Sequence, residues 1–190
     1  MKTRESGMPD EQTWEGFFSP QATLGKLGLT EDSGEVVDFG CGYGTFAIPA
    51  ARLTAAAVHA LDIDPAMVDA TQDRAAREAL PNVRTVVRDF VTGGTGLDAD
   101  SAGFAMLFNI LHCEQPERLL NEAHRVLRVG GKLAIMHWRC DIATPRGPSM
   151  TIRPRPEHCR QWAEHAGFQR TDDAFIDLPP YHWGLTMIKP

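Results

Sequence analysis

The sequence lacks the residue patterns that mark several common protein classes. Its four cysteines, at positions 41, 113, 140 and 159, include no CxxC pair and do not cluster. A disulfide framework and a paired-cysteine metal site are therefore not expected, and we predict no metal. Acidic residues outnumber basic ones, 25 to 19, which gives a net charge of −6. Without a basic excess the chain offers no electrostatic footprint for nucleic acid, so we predict no nucleic-acid partner.

Long apolar segments are also missing. The most apolar window, residues 46–63, is interrupted by Arg52, His59 and Asp62. It falls short of the ~18 uninterrupted apolar residues that a membrane span needs. Residues 1–12 contain no apolar stretch of the kind that a secretory signal requires. We therefore expect no membrane span and a cytoplasmic location.

The apolar residues that are present suffice for one domain. The 190 residues are 43% hydrophobic, and at this length a second independent core is not expected. Residues 1–34 are polar and turn-rich around one apolar patch that includes Trp14, Phe17 and Phe18. We predict an N-terminal helical arm over residues 1–34, packed on a single domain over residues 35–190.

The domain alternates short apolar segments with longer amphipathic ones. Strands are predicted at residues 36–39, 57–61, 82–87, 103–110, 133–138, 175–178 and 182–188. Helices are predicted at residues 45–54, 65–80, 116–129 and 155–166. This rhythm predicts an α/β fold of the doubly wound, Rossmann-like kind, with a mostly parallel sheet and helices on both faces.

A glycine loop follows the first predicted strand. The strand ends at Asp38 and Phe39, and the chain then turns through Gly40, Gly42 and Gly44. Glycine permits positive φ and lets a ligand approach the backbone closely. In an open parallel sheet, ligands bind beyond the carboxyl ends of the strands, where the next helix points its N–H groups. The loop is therefore the predicted ligand site.

Two cofactor classes use this geometry. Residues 42–47 match the dinucleotide pattern GxGxxA, so an NAD(P)-dependent oxidoreductase is one interpretation. Asp38 argues against it, because a carboxylate beside the loop repels a diphosphate and suits the cationic groups of S-adenosylmethionine. Asp38 has an alternative role as a helix cap. Asp62, at the end of the second strand, suits a ribose in either class, and Asp64 fits the cap of the following helix.

Residues 36–189 resemble the class I S-adenosylmethionine-dependent methyltransferases, in the small-molecule branch that includes quinone-precursor methylating enzymes. The resemblance rests on five segments in order, VVDFGCGYGTFAIPAA, ALDIDPAMVDAT, VVRDF, LFNILHC and EAHRVLRVGGKLAIMHW. It implies a seven-stranded sheet whose last strand is antiparallel and inserted beside the fifth. It also implies S-adenosylmethionine as cofactor and S-adenosylhomocysteine as product.

The resemblance also implies which residues hold the cofactor. Asp62 takes the ribose position, Ile63 and Met67 lie near the adenine, and Asp89 and Phe90 lie at the adenine edge. For Asp89 the alternative is a loop carboxylate without a ligand. The complete predicted set is Asp38, Gly40, Cys41, Gly42, Gly44, Asp62, Ile63, Met67, Asp89, Phe90 and Asn109.

Catalytic residues are less clearly marked in the sequence. Methyl transfer needs a general base only when the acceptor must lose a proton. The candidates are His112 after the fourth strand, His137 at the end of the fifth strand, and His182, with a capping or packing role as the alternative for each. Residues 139–155 carry four arginines, which motivates the hypothesis of an anionic substrate group, with a solvated loop as the alternative.

The leading prediction is a methyltransferase that transfers a methyl group to a small molecule by in-line displacement. The alternatives are an NAD(P)-dependent oxidoreductase and a non-catalytic nucleoside-binding protein. Asn109 to His112 lacks the Pro-Pro-aromatic pattern of enzymes that methylate base amino groups. No exposed apolar stripe indicates an oligomeric state.

Overall fold

The structure is a computed structural model that describes residues 9–171 and 175–190. Residues 1–8 of the predicted arm lie outside the described residues. The helices are α1 (Glu11–Glu15), α2 (Pro20–Lys26), α3 (Ala47–Leu53), α4 (Pro65–Arg77), α5 (Phe90–Gly93), α6 (Pro116–Val126) and α7 (Pro156–His165). The strands are β1 (Val36–Phe39), β2 (Val58–Asp62), β3 (Val83–Val87), β4 (Ala102–Phe108), β5 (Leu127–Trp138), β6 (Gln169–Arg170), β7 (Ile176–Leu178) and β8 (His182–Ile188). Short 3₁₀ turns occupy Glu31–Ser33 and Met150–Ile152.

The strands form one mixed sheet in the order β3-β2-β1-β4-β5-β8-β6. Strands β1 to β5 pair in parallel, and β8 pairs antiparallel with β5. The predicted fold class and the insertion of an antiparallel last strand beside the fifth are confirmed. The sheet order reverses at β1, whose neighbours are β2 and β4, so the loop after β1 lies at the switch point where ligands bind.

The number of strands differs from the seven predicted. Within the described residues there are eight, because a two-residue strand, β6, pairs with Met187 and Ile188 near the end of β8. Strand β7 pairs with the beginning of β8, from His182 to Gly184. One long strand thus offers the same edge to two short strands in succession, and β6 is too short to leave a periodic pattern in the sequence.

The apolar strands place a core on each face of the sheet. All residues of β1, β2 and β4 are buried, as expected of parallel strands covered on both sides. Leu24 of α2, Leu27 directly after α2, and Ala50 of α3 pack on one face. Helices α6 and α7 supply residues such as Leu120 and Ala163 to the other. No helix in the described ranges is long and apolar enough to cross a membrane.

Helix α6 is shorter than predicted. The sequence pattern extends the helix to residue 129, but the structure ends it at Val126. Leu127 is already extended, with φ −70° and ψ 136°, and it pairs with Ala102 at the start of β4. Strand pairing of a fully buried leucine thus overrides the helical periodicity, and β5 starts six residues before its predicted beginning at residue 133.

Candidate active site

The glycine loop turns sharply away from the end of β1. Gly40 and Gly44 have φ angles of 83° and 75°, which residues with a Cβ rarely adopt. A Cβ at Gly44 would lie 3.0 Å from Ile48 Cγ1 and 3.1 Å from Thr71 Cγ2, so Gly44 lets the loop pack against α3 and α4. A Cβ at Gly40 would lie 3.3 Å from Ile110 Cγ2. The loop therefore runs close to the segment that follows β4.

Asp62 holds the glycine loop in place. Its Oδ2 accepts a hydrogen bond from the backbone N–H of Gly42 at 2.9 Å, and its Oδ1 accepts one from the N–H of Asp64 at 3.0 Å. Thr71, on α4, donates from Oγ1 to the carbonyl oxygen of Gly42 at 2.8 Å. Sequence reasoning missed Thr71, because one threonine on a helix gives no signal of a contact 29 residues away. Asp64 caps α4 as predicted.

Asp38 is a buried carboxylate next to Asp62. Only 3% of its surface is exposed. Burial raises the pKa of Asp38 to about 7, and the nearby charge of Asp62 raises it further in the same direction. The capping alternative for Asp38 is wrong, because α3 begins with Phe46 in the cap position. Two buried acids at one loop make the site electrostatically suited to a cation and unsuited to a diphosphate.

The other predicted cofactor residues lie around this loop. Cys41 is buried and donates its backbone N–H to Leu61 O, and burial raises the pKa of its thiol, which stays protonated. Phe90 packs edge-on against Phe39, with ring centroids 5.5 Å apart, and it lies close to Gly40. Ile63 and Met67 follow β2, at the end of the strand and in the first turn of α4.

Asp89 has a defined local role. It caps α5, because its Oδ1 accepts hydrogen bonds from the N–H groups of Val91 and Thr92. Its Oδ2 accepts one from Thr92 Oγ1 at 2.7 Å. These contacts fix the carboxylate at the end of β3 and explain its presence without a ligand, so its contact with the adenine stays a prediction.

Two buried polar atoms near the loop lack partners. Asn109 has a φ angle of 58°, and its Oδ1 is buried without a hydrogen-bond partner among the described residues. The same holds for Thr45 Oγ1, in the loop itself. A buried polar atom without a partner costs about 1–3 kcal/mol. Together with the two acids and the glycine turn, these atoms fit a polar, cationic ligand such as S-adenosylmethionine. Sequence reasoning found Asn109 but missed Thr45.

The three candidate histidines occupy two different places. His112 and His137 lie together, with His112 Nδ1 3.3 Å from His137 Nε2. His182 instead stacks near Trp138 and Phe18, with ring centroids 4.2 Å and 4.7 Å away. Burial lowers the pKa of His182 to about 3, so this ring is neutral at physiological pH. An aromatic cluster thus accounts for the position of His182.

A cavity of about 1130 Å³ opens beside His112. It is bordered by the segment after β4, by residues following β5, by the first part of α7 and by Trp183 of β8. The borders include charged side chains and aromatic ones, among them Arg155, His158, Trp162, Phe175 and Trp183. His112 and Leu111, which both line the cavity, belong to the segment after β4 that also contains Asn109.

Two of the four arginines after β5 already have protein partners. Arg139 makes a two-pronged ion pair with Asp141, at 2.9 Å and 2.6 Å. Arg153 is buried and donates to three backbone carbonyls, those of Arg139, Arg146 and Pro148, at 2.7–3.0 Å. Arg153 therefore fixes the loop. Arg155 borders the cavity, and binding of an anionic substrate group by this loop stays a prediction.

Replacing Arg153 with lysine is expected to lower the free energy of unfolding by about 2–3 kcal/mol, because one ammonium cannot reproduce a fork of bonds to three carbonyls. Urea denaturation at pH 7 measures the change. Arg146, whose side chain is exposed, is the matched control, and its replacement with lysine is expected to change stability by less than about 0.5 kcal/mol. Equal stability of both variants would show that the three bonds do not fix the loop.

The described part of the N-terminal arm contacts residues at the carboxyl ends of β1 and β5. Trp14 and Phe17 contact the ring of Trp138 with centroids 6.3 Å and 5.5 Å away. Tyr43 of the glycine loop donates its hydroxyl to the carbonyl oxygen of Pro9 at 2.9 Å. Arg74 of α4 forms an ion pair with Glu15. The arm therefore touches the predicted cofactor loop directly.

Comparison with known proteins identifies the family. Residues 36–131 match the family model described as a methyltransferase domain, which is half of the chain. The chain is 34% identical over 141 residues to the ribosomal protein L11 methyltransferase of Methylococcus capsulatus, an alignment that spans 72% of this chain and 45% of that protein. The chain thus spans less than half the length of this curated relative.

Solved structures share the fold over most of the chain. A SAM dependent methyltransferase from Aquifex aeolicus superposes with a TM-score of 0.82 at 22% identity, covering 95% of this chain and 94% of the other. The [4+2]-cyclase SpnF superposes with a TM-score of 0.75 at 18% identity, covering 98% and 84%. At these identities the similarity shows the fold alone.

The family match decides the class. The chain belongs to the methyltransferase domain family. Its fold and glycine loop are those of the class I S-adenosylmethionine-dependent methyltransferases, as the resemblance predicted.

Proposed function

We propose that this chain transfers a methyl group from S-adenosylmethionine to a small molecule by in-line displacement. The observation that supports this proposal best is the pair of buried acids, Asp38 and Asp62, at the glycine loop. S-adenosylmethionine carries a sulfonium and an ammonium group, whereas a dinucleotide carries a negatively charged diphosphate. Opposite charges attract strongly where water is excluded, so the acids favour the first ligand.

The cofactor-binding roles are assigned to the same loop and its neighbours. We assign the ribose hydroxyls to Asp62, since each carboxylate oxygen can accept a second hydrogen bond beside its existing one. The adenine lies toward Ile63, Met67, Asp89 and Phe90. The amino acid end lies toward Asp38, the glycine loop and the unpartnered oxygen of Asn109. When bound, S-adenosylmethionine supplies an electrophilic methyl group on a positively charged sulfur.

The acceptor is proposed to be a small molecule that enters the cavity beside His112. A cavity of about 1130 Å³ lies just above the range of about 300–1,000 Å³ that is usual for small-molecule sites, so it has room for such an acceptor. The L11 methyltransferases act, by their name, on a ribosomal protein, but the alignment leaves more than half of the relative's length unmatched. Positioning of the acceptor against the methyl group is expected to provide most of the rate.

Isothermal titration separates the proposed function from its alternatives. S-adenosylhomocysteine is expected to bind with a Kd of roughly 10 µM or tighter, and NAD and NADP are expected not to bind. Incubation with labelled S-adenosylmethionine and a metabolite extract is expected to label a small molecule. Binding of NAD in place of S-adenosylhomocysteine would favour the oxidoreductase. Binding of S-adenosylhomocysteine without any transfer would favour the non-catalytic alternative.

A further inference from the structure

His112 and His137 form a linked pair at the ends of β4 and β5. His112 Nδ1 lies 3.3 Å from His137 Nε2, and the two rings meet edge to face at 82°. His137 is completely buried, whereas His112 is half-buried and borders the cavity. The ring of His112 therefore borders the cavity, and the ring of His137 lies behind it in the protein interior.

The surroundings of His137 fix which of its nitrogens carries the proton. Burial holds the pKa of His137 well below its usual range, and the neighbouring charge of His112 lowers it further, so the ring is neutral. Its Nδ1 lies 3.5 Å from the carbonyl oxygen of Trp138, a long contact with a group that can only accept. His137 Nδ1 therefore carries the hydrogen, and His137 Nε2 is an acceptor.

The tautomer of His137 in turn determines which nitrogen of His112 carries the proton. Because His137 Nε2 accepts, His112 must donate to it from Nδ1. A neutral imidazole has one donor and one acceptor nitrogen, so the lone pair of neutral His112 is on Nε2. That tautomer is the one that can take a proton from a molecule in the cavity.

The side chains that border the cavity also indicate the shape of the molecule that binds there. Trp162, Phe175 and Trp183 border it together with His112. Trp183 in turn lies parallel to His137 at 6.4 Å and edge-on to Phe175 at 6.2 Å. Flat aromatic borders around a base favour a planar ring that carries an ionisable hydroxyl.

We propose that the methyl acceptor is an aromatic hydroxyl compound, that His112 is the general base that takes its proton, and that His137 is the positioning residue that fixes the tautomer of His112. This proposal rests on the proposed function. In the transfer, an oxygen lone pair of the acceptor forms the new O–CH₃ bond while the S–CH₃ bond breaks and its electron pair stays on sulfur. The hydroxyl proton passes to His112 Nε2, and the products are the methyl ether and a neutral thioether.

Other charged groups around the pair must be considered in any pH profile. His137 faces His112, His182 and Arg153. The other titratable or charged residues that line the cavity beside His112 are Cys113, Glu114, Glu117, Arg139, Cys140, Asp141, Arg155, Glu157, His158 and Asp177. A tautomer measurement is therefore a sharper test than a pH profile alone, because it observes the two ring nitrogens of His112 directly, whereas a pH profile combines the titration of all these groups.

The first measurement is the ¹⁵N NMR spectrum of the histidine side chains, recorded with S-adenosylhomocysteine bound at a pH where His112 is neutral. The proton of His112 is expected on Nδ1 in the wild type and in His137→Gln, whose amide oxygen can still accept. In His137→Leu, which offers no acceptor, the proton is expected to move predominantly to Nε2. A wild-type spectrum with the His112 proton on Nε2 overturns the proposal.

The second measurement uses 4-nitrophenol as the probe, because its ionised form absorbs visible light. With S-adenosylhomocysteine bound, the ratio of ionised to neutral bound probe is expected to fall roughly tenfold in His112→Gln, one pKa unit. His137→Leu is expected to lower it several-fold, and His137→Gln to restore it. His165→Gln, an exposed histidine at the end of α7 that does not border the cavity, is the control and is expected to match the wild type.

The outcomes separate this proposal from the proposed function. Affinity for S-adenosylhomocysteine is expected to stay within about twofold in His112→Gln, which also confirms that the variant is folded. Failure of the wild type to bind S-adenosylhomocysteine contradicts the proposed function. Normal binding of it together with no binding of 4-nitrophenol, or with an unchanged ionised fraction in His112→Gln, overturns the acceptor and the base proposed here.

Discussion

Asp38→Asn is expected to make the cofactor-free protein more stable and, at the same time, to remove most of its affinity for S-adenosylmethionine. Burial raises the pKa of Asp38 to about 7 from an ordinary value of 3.8, with the charge of Asp62 acting in the same direction. The folded protein thus binds this proton more tightly than the unfolded chain does. Ionised Asp38 therefore opposes folding, and asparagine removes that opposition.

The sign gives a definite pH dependence. The free energy of unfolding of the cofactor-free wild type is expected to fall as the pH rises from about 4 to about 7, and to be lower by a few kcal/mol above that window. In Asp38→Asn this contribution to the slope is absent. Urea denaturation at pH 5 and pH 8 measures it. Asp69→Asn, on the exposed surface of α4, is the control with no such effect.

Cofactor affinity is expected to show the opposite dependence. A cationic ligand favours the ionised form of Asp38, so binding of S-adenosylmethionine strengthens as the pH rises toward 7 and then levels off. Loss of a charged hydrogen-bond partner in Asp38→Asn is expected to weaken binding roughly 10- to 100-fold at pH 8. Unchanged affinity would show that Asp38 does not face the ligand. Unchanged stability would show that ionised Asp38 does not oppose folding.

Asp62→Ala has the second large expected effect. The substitution removes the acceptor of the Gly42 and Asp64 N–H groups and the proposed acceptor of the ribose hydroxyls. Affinity for S-adenosylhomocysteine is expected to fall roughly 100-fold or more, since two or more hydrogen bonds are lost and the loop is released. Isothermal titration measures the affinity, and amide hydrogen exchange at Gly42 measures the release of the loop.

Two comparison variants sharpen this test. Asp62→Asn keeps one oxygen acceptor and is expected to lose less affinity than Asp62→Ala. Asp69→Asn is expected to bind as the wild type does. Faster exchange at Gly42 with unaltered affinity would mean that Asp62 only supports the loop, and the ribose would then have to be assigned elsewhere. Removing Asp62 also removes a charge that raises the pKa of Asp38, so that pKa is expected to fall in Asp62→Ala.

The main architecture was predictable because local sequence and global fold agree. Uncharged strands such as β4, glycines at the end of β1 and the proline at the start of α4 each favour one conformation. The parallel sheet followed from these signals, whereas the placement of β8 beside β5 followed from the resemblance to the methyltransferase family. The glycine loop could be assigned to the ligand site because the strand before it and the helix after it were both clear.

The contacts within the site were less predictable, because they join residues far apart in sequence. Asp62 reaches Gly42 across 20 positions, and His112 reaches His137 across 25. Both contacts depend on the register of neighbouring strands, which composition does not specify. Arg153 looked like a candidate for binding an anion, but its bonds to three carbonyls depend on the path of an irregular loop. Leu127 left α6 because pairing with β4 outweighs helical periodicity.

The four tryptophans divide between the two ends of the proposed reaction site. Trp14 of the arm and Trp138 of β5 meet edge to face with ring centroids 6.3 Å apart, whereas Trp162 and Trp183 border the cavity. Indole fluorescence changes with the polarity around the ring, so the chain contains its own optical probes. Replacing one pair with phenylalanine leaves the emission of the other pair. The emission of Trp14 and Trp138 then reports the packing of the arm, and that of Trp162 and Trp183 reports binding in the cavity, without an attached dye.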